Sequence, residues 1–418
     1  MSIFIDILKE ILFQIPNLFL HPMLYVGIII LILLYRRQIV LERKLFNSRI
    51  HYLTYEVITS LGIGILAGVV ASVFIITLGI VIHPEEMWLV WGISLFLILF
   101  NIRFLCLSYA TGLLGVVAGI LQLINITSTN LILDLIISIH IPSLIAIVAL
   151  LHLIEAILIR VQASKQATPM FIETKRGKLA GAFHIQSYWL LPLFLVVATG
   201  ETDGINISWS WWPLIGGGMG ISIIPIPAII GYNDITSVYS PYKKSRNASN
   251  YLLIYSLILL AMAFVVEVYV DYQVFAALFA GFAHEAIHFI GKRKEKNLPL
   301  KYVHPSEGLM VFSVLPGSIA SRMGIKAGEV ILKINGIQVN SKEELYYALQ
   351  QQSTFVKLEI INLNGEIKLT NHSIYSGEHH QLGIILAPDE DAQYYIRVNN
   401  INLVQLTMQK VKKIYRGA

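Results

Sequence analysis

Charge is what this chain has least of. Lys, Arg, Asp and Glu make up 14% of its 418 residues, where soluble domains carry roughly 25%. Cysteine is almost missing: the lone Cys106 sits inside an apolar run and has no partner for an internal disulfide, which excludes a secreted disulfide framework. The opening stretch MSIFIDILKEILFQIPNLFL has no basic n-region and no A-x-A cleavage site, so it reads as a retained segment and not a removed signal peptide. Glycine patterns that cradle phosphate are absent, and the run Gly216–Gly220 opens no amphipathic helix. There is no G-x-S-x-G, and Ser240 and Ser245 lie in a basic loop with no His–Asp set beside them in sequence.

Apolar residues fill the gap. They make up 56% of the chain, in several runs near the roughly 20 residues that cross a bilayer as a helix. Residues 1–291 carry nearly all of this bias, so we read a polytopic α-helical membrane domain there. Spans are expected near 20–35, 58–82, 87–102, 104–124, 141–160, 187–199, 212–231, 251–269 and 273–290. The sixth is short, and the GGGMGISIIPIPAII of the seventh predicts a broken or re-entrant helix. LILDLIISIH (131–140) is expected to be interfacial, and IDILKEILFQI is short enough to lie on the membrane surface. This gives about eight to nine spans, or ten if the first segment also crosses.

Basic residues alternate along these runs. Arg36, Arg37, Arg43, Lys44 and Arg49 follow the first span; Arg160, Lys165, Lys175, Arg176 and Lys178 follow the fifth. Lys243, Lys244 and Arg246 follow the seventh, and Lys292, Arg293, Lys294 and Lys296 the last. The connections 83–86, 125–140, 201–210 and 270–272 hold no Lys or Arg. Such alternation predicts that the basic loops and the C-terminal region face the cytoplasm. It also explains the net charge of +5 without nucleic acid.

A basic juxtamembrane linker (292–302) leads to a soluble α+β domain (303–388) and a basic tail (389–418). In the soluble part, GLMVFSV begins a strand, LPGS makes a turn, and SIASRMG a short helix ending at Gly324. AGEVILKINGIQV is a hairpin turning at Asn335-Gly336. Ser341 with Glu344 three residues later is a capping box for SKEELYYALQQ. A second hairpin turns at Asn364-Gly365, and QLGIILA supplies a closing strand. This order resembles a PDZ domain of the bacterial type found in HtrA-like and site-2-type proteases. The resemblance implies that a peptide adds as a strand between the first strand and the capped helix. Its carboxylate would be received by backbone N–H groups of the Gly308–Met310 turn. Leu309, Val311, Leu345 and Leu349 would face the groove, although side chains so spaced serve equally as core.

One string points elsewhere. His284-Glu285-Ala286-Ile287-His288 is an H-E-x-x-H pattern, which on a helix places two imidazoles on one face beside a carboxylate base. A site-2-type zinc metalloprotease would need a third ligand from an L-D-G-like motif on a later span. No such string occurs, and no apolar span follows the soluble domain. The pattern also sits in the last span, not an early one. His152 and Glu155 on the fifth span are an intramembrane ionisable pair that could complete a site, and an internal hydrogen-bonded pair is the plainer reading. A transporter would show Gly/Pro-broken helices in matched halves, and only one such segment is present. The reading is therefore that of a non-enzyme with no catalytic residue, metal or cofactor.

The whole arrangement is similar to the MinJ family, topological determinants of cell division in low-GC Gram-positive bacteria. The likeness includes LFLHPMLY (18–25), the spacing of the spans, and the PDZ-like stretch from GLMVFSVLPGS through LEIINLNGEIKL. It implies a non-enzymatic adaptor bridging the polar protein DivIVA to MinD, enriched at poles and septum. Besides these partners only the lipid bilayer is expected, with the tail's Lys410, Lys412, Lys413 and Arg416 near anionic lipid.

Overall fold

Leu53–Leu78 forms a helix (α3) with one nearly side-chain-free face, and that face shapes the membrane domain. Ser60, Gly64, Ala67, Gly68, Ala71 and Ser72 are all buried. A Cβ on Gly64 would lie 2.3 Å from the carbonyl oxygen of Leu190, and one on Gly68 2.5 Å from that of Pro192. Small residues let two backbones approach this closely. The neighbour is a strand. In the computed structural model, which describes all residues except 1, 47–49, 98, 101, 127–129, 175–176, 199–208, 218–219, 353, 375–381, 390–394 and 396–418, the segments expected as the sixth and seventh helical spans are not helices. Residues 187–198 of the sixth lie in strand β3 (Leu179–Ala198), and residues 221–231 of the seventh lie in strand β4 (Ile221–Thr236).

These strands pair antiparallel without a register shift from Phe183↔Thr236 to Ala198↔Ile221. The other edge of β3 is met at one end by β2 (Ala167–Glu173) and at the other by β1 (Val81–Ile82). Between them no strand reaches it among the described residues, and unpaired backbone inside a membrane protein is costly. Side chains of neighbouring helices serve two of the outward N–H groups in this gap. Ser72 Oγ accepts the Phe194 N–H at 2.9 Å, and the Tyr35 hydroxyl, from helix α2 (Pro22–Phe46), accepts that of Tyr188 at 3.4 Å.

Those two outward N–H groups fix the parity of the ladder, because antiparallel pairs alternate between bonded and non-bonded. Pro192 and its partner Pro227 fall in the same outward register as Phe194 and its partner Pro225. The three prolines therefore remove no ladder bond, which is the place strands tolerate them. Prolines two residues apart in an isoleucine-rich run signal a strand; read at helical period they suggested a broken helix.

Helices enclose this hairpin. α1 (Ser2–Leu20) lies against β4. α7 (Ile141–Val161) is buried on nearly all sides and packs on α8 (Pro241–Val268), α5 (Leu107–Leu123) and α9 (Gln273–Lys296). α4 (Pro84–Leu97) reaches α5 through a short 3-10 turn at Ile102–Leu105. The expected interfacial segment is a seven-residue helix, α6 (Leu131–Ile137). Among the described residues five helices are long and apolar enough to cross a membrane: Pro22–Phe46, Leu53–Leu78, Ile141–Val161, Pro241–Val268 and Val270–Lys296. Leu107–Leu123 is a shorter apolar helix.

The C-terminal domain follows the expected order. Strands β5 (Leu309–Val314), β6 (Val330–Ile334), β7 (Ile337–Gln338), β8 (Phe355–Ile361), β9 (Ile367–Ser373) and β10 (Ile384–Leu386) are joined by helices α10 (Ile319–Arg322) and α11 (Lys342–Gln350). The sheet order is β10-β5-β6-β8-β9, with β7 on β6. The turn at Asn335-Gly336 has both residues at positive φ, +52° and +85°, as the Asn-Gly pair predicts. The tail from 389 onward, apart from 389 and 395, lies outside the described residues, as do Arg49, Lys175 and Arg176.

The two regions meet at an aromatic joint. Phe171 and Phe183 from the membrane-domain sheet pack on Tyr302 and Phe312, with ring centroids 4.8 to 6.0 Å apart. Gly181 N–H donates to the Tyr302 carbonyl at 2.8 Å, and Lys301 N–H to that of Ser237 at 2.9 Å. The chain leaving α9 thus takes the place of β4 beside β3 where β4 ends. Tyr302 and Phe312 are fully buried, and burying such rings contributes about 1.5–3 kcal/mol each.

Candidate functional site

Gly308 turns the chain into β5 with φ +77°, and a Cβ there would meet the Ile331 carbonyl at 2.6 Å. Its N–H donates to Asn340 Oδ1 at 2.8 Å. Beyond it, Leu309 and Met310 pair with β6, while Val311, Ser313 and Val314 pair with β10. The Val311 N–H donates to the Glu329 carbonyl at 2.8 Å, and the Met310 carbonyl accepts from Ala387 at 2.9 Å. Both edges of β5 are occupied.

Gly308, Leu309, Met310 and Val311, with Leu345 and Leu349, are the expected peptide site. Leu309, Met310 and Val311 lie on an interior strand with β6 on one side and β10 on the other, and Gly308 sits at the turn into it. Leu309, Val311, Leu345 and Leu349 are buried together in the domain core, and Met310 packs toward the aromatic joint. The first strand of the domain read as its edge because the strand covering it comes from some 70 residues further on, and that pairing has no local signal.

Among the described residues, β10 presents a free edge. Leu315 N–H donates to the Gly383 carbonyl at 2.8 Å, so Gly383 and Leu315 form a bonded pair. Ile384, opposite Val314 in the next pair, must direct its own N–H and C=O outward. No strand covers that side among the described residues. Gly383 is held at φ +74°, and a Cβ on it would lie 2.1 Å from Ser318 Cβ. Ile384 and Leu386 are half-buried against the core that contains Leu345 and Leu349, whereas Ile385 turns to the aromatic joint. Helix α11 beside that core is capped as expected: Ser341 Oγ accepts from Glu344 N–H at 3.1 Å, and Glu344 Oε2 accepts from Asn340 N–H at 2.6 Å. Its Tyr346 and Tyr347 are exposed. A backbone edge, a half-buried apolar face and aromatic side chains nearby form the equipment of strand addition.

The H-E-x-x-H string is not assembled as its spacing suggested. Glu285 is engaged: Arg103 Nη2 donates to its Oε1 at 3.0 Å, and the Tyr109 hydroxyl to its Oε2 at 2.7 Å. His288 joins no group of three possible metal ligands among the described residues. His284 faces instead Cys106 and His152, with Cys106 Sγ 3.2 Å from His152 Nε2 and 3.7 Å from His284 Nε2.

Near the joint, Glu42 ties the end of α2 to β2. Its Oε2 accepts the N–H groups of Ile50 and His51 at 2.9 and 3.0 Å, and its Oε1 accepts from Thr168 Oγ1 at 3.0 Å. His51 Nδ1 lies 2.5 Å from the same carboxylate. Burial opposes its protonation, yet the Glu42 hydrogen bond and charge prevail and hold His51 above its ordinary value of 6.5.

Comparison with known proteins places these features. The PDZ domain family pattern matches residues 310–360. Cell division topological determinant MinJ of Bacillus subtilis is 27% identical over 376 residues, covering 89% of this chain and 94% of that one. Probable cell division topological determinant MinJ of Lacticaseibacillus paracasei is 25% identical over 264 residues, covering 60% of this chain and 68% of its own. Among solved structures, the PDZ domain of the SdrC-like protein from Listeria monocytogenes aligns at 21% identity and TM-score 0.17, covering 20% of this chain and 90% of that one.

Proposed function

Taking as premise that the chain is a homologue of MinJ-type cell division topological determinants and carries a PDZ domain, we propose that it is a membrane-held scaffold of the division site. It performs no reaction. Its PDZ domain, on the cytoplasmic side, captures an extended segment of a partner along the outer edge of β10. By analogy with the MinJ system, the partners are DivIVA-type and MinD-type proteins.

The topology we propose keeps the alternation of basic loops. An antiparallel strand hairpin crosses a bilayer twice, as a helical hairpin does. Replacing two helices by β3 and β4 therefore leaves every later loop on its expected side. Spanning strands need only about 10 residues each, and the hairpin is shielded by α1 and α3, as backbone at membrane depth requires. Arg36, Arg37, Arg43 and Lys44 then lie on the side of the PDZ domain, where the positive-inside bias wants them.

The observation that carries this reading is the outward-facing backbone of Ile384, which no strand covers among the described residues. Strand addition there gives moderate, reversible affinity through main-chain hydrogen bonds. Anchoring in the membrane raises the effective concentration of partners confined to the same surface. The test is a fluorescent fusion of the full chain in a cell lacking its own copy. Enrichment at septum and poles with restored division placement supports the scaffold; uniform membrane signal with unrestored placement contradicts it.

A further inference from the structure

Cys106, His152 and His284 have no place in the scaffold reading, and they converge. They come from three elements: the residue that opens α5, the middle of α7 and the middle of α9. Their ligand atoms all lie within 4.8 Å of one another. Zinc bonds of about 2.3 Å to sulfur and 2.0–2.1 Å to nitrogen, at a tetrahedral angle, place S and N about 3.5 Å apart. The two observed S···N separations, 3.2 and 3.7 Å, bracket that value.

We propose that these three side chains bind a zinc-class divalent transition-metal ion and pin α5, α7 and α9 together. The hydrogen bond on the far nitrogen of His152 supports it. His152 Nδ1 lies 2.7 Å from the Val148 carbonyl, which can only accept, so Nδ1 carries the proton and the Nε2 lone pair faces the cluster. Orienting a ligating imidazole through its far nitrogen is the usual arrangement at metal sites. Thiolate with imidazole also suits this ion class better than calcium or magnesium, which take oxygen ligands. Tyr109 and Tyr255 stand edge-on to His284 with their hydroxyls engaged elsewhere, Tyr109 on Glu285 and Tyr255 on Ala280 and Ser108. On binding, the Cys106 thiol gives up its proton to solvent and the sulfur takes the ion.

This site is distinct from the H-E-x-x-H pattern, sharing only His284 with it, and that separates the two by experiment. The full chain, purified in detergent or nanodiscs, is loaded with zinc or cobalt, and metal content and the cobalt spectrum are read. The expected result is one ion per chain, with thiolate-to-cobalt charge-transfer absorption. Cys106→Ser, His152→Ala and His284→Ala should each abolish uptake, while Glu285→Gln and His288→Ala retain it. Absence of uptake, or uptake that survives Cys106→Ser and is lost with His288→Ala, overturns the proposal. A readout on the unmodified chain covers variants that fail to fold. Cys106 is the only thiol, so zinc at about ten times its Kd should slow alkylation about tenfold, with a chelator restoring the rate. Equal rates with and without zinc also overturn it.

Discussion

Two sheets in this molecule treat their edges in opposite ways. In the membrane domain, β3 is flanked by β4 along its length, by β1 and β2 at its ends, and by Tyr35 and Ser72 between them. The three prolines of the β3–β4 hairpin fall where no ladder bond is lost. In the C-terminal domain, β10 ends the sheet with the backbone of Ile384 turned outward and no strand beside it among the described residues. An edge that is closed by specific side chains supports a fold, and an edge left open is available for a partner. On the proposed function, the contrast separates the part of the chain that holds the architecture from the part that captures a partner.

The largest effect should come from forcing the closed edge apart. In Gly64→Leu the new Cβ meets the Leu190 carbonyl at 2.3 Å, a contact with backbone that cannot swing away. Overpacking costs typically 1–3 kcal/mol and occasionally more. We expect at least about 3 kcal/mol here, read as collapse of folded yield in detergent. Normal yield and melting temperature would show that α3 does not pack on β3 as described.

The joint between the sheets comes next. Gly181→Leu places a Cβ 2.8 Å from the Phe312 ring and 3.0 Å from Tyr302 Cβ. The C-terminal domain should undock while staying folded, at a cost of about 1–3 kcal/mol. Limited proteolysis between α9 and β5 should speed up, and an unchanged cleavage rate would break the comparison. Ser72→Ala is subtler. It leaves the buried Phe194 N–H without its 2.9 Å acceptor, a loss of about 1–3 kcal/mol, visible as faster amide exchange at Phe194 while exchange at Ile384 is unaffected.

The smallest effect is that of pH. His51 is held above its ordinary value of 6.5, so its folded form prefers the proton. The stabilisation is fully present below that ordinary value and is lost as pH rises through the elevated folded one. Thermal stability of the joint should therefore fall modestly from mildly acidic to alkaline conditions, and His51→Gln should flatten the profile. An unchanged slope in that variant would detach His51 from the joint.

How much of this was legible in the sequence differs between the two sheets, for physical reasons. The C-terminal turns follow from local chemistry: Asn335-Gly336 for a positive-φ turn, Ser341 with Glu344 for a capped helix. Its proposed binding edge does not, because β10 pairs with β5 across some 70 residues. In the membrane domain, long apolar helices announced themselves by length alone. The β3–β4 hairpin was hidden because buried strands and buried helices share a composition, and only the two-residue spacing of Pro225 and Pro227 distinguished them. The H-E-x-x-H string was visible, but spacing along one helix says nothing of Cys106 and His152 arriving from two others.

The account rests on capture at the open edge, and one substitution addresses it directly. Ile384→Pro removes the outward N–H of β10 without touching its inward ladder, a change an edge strand tolerates. Installed in the full-length chain, it should leave membrane insertion and melting temperature unchanged while abolishing crosslinks between β10 and partner proteins and releasing the protein from the septum. A folded, inserted variant that still crosslinks and still gathers at the septum would contradict the account.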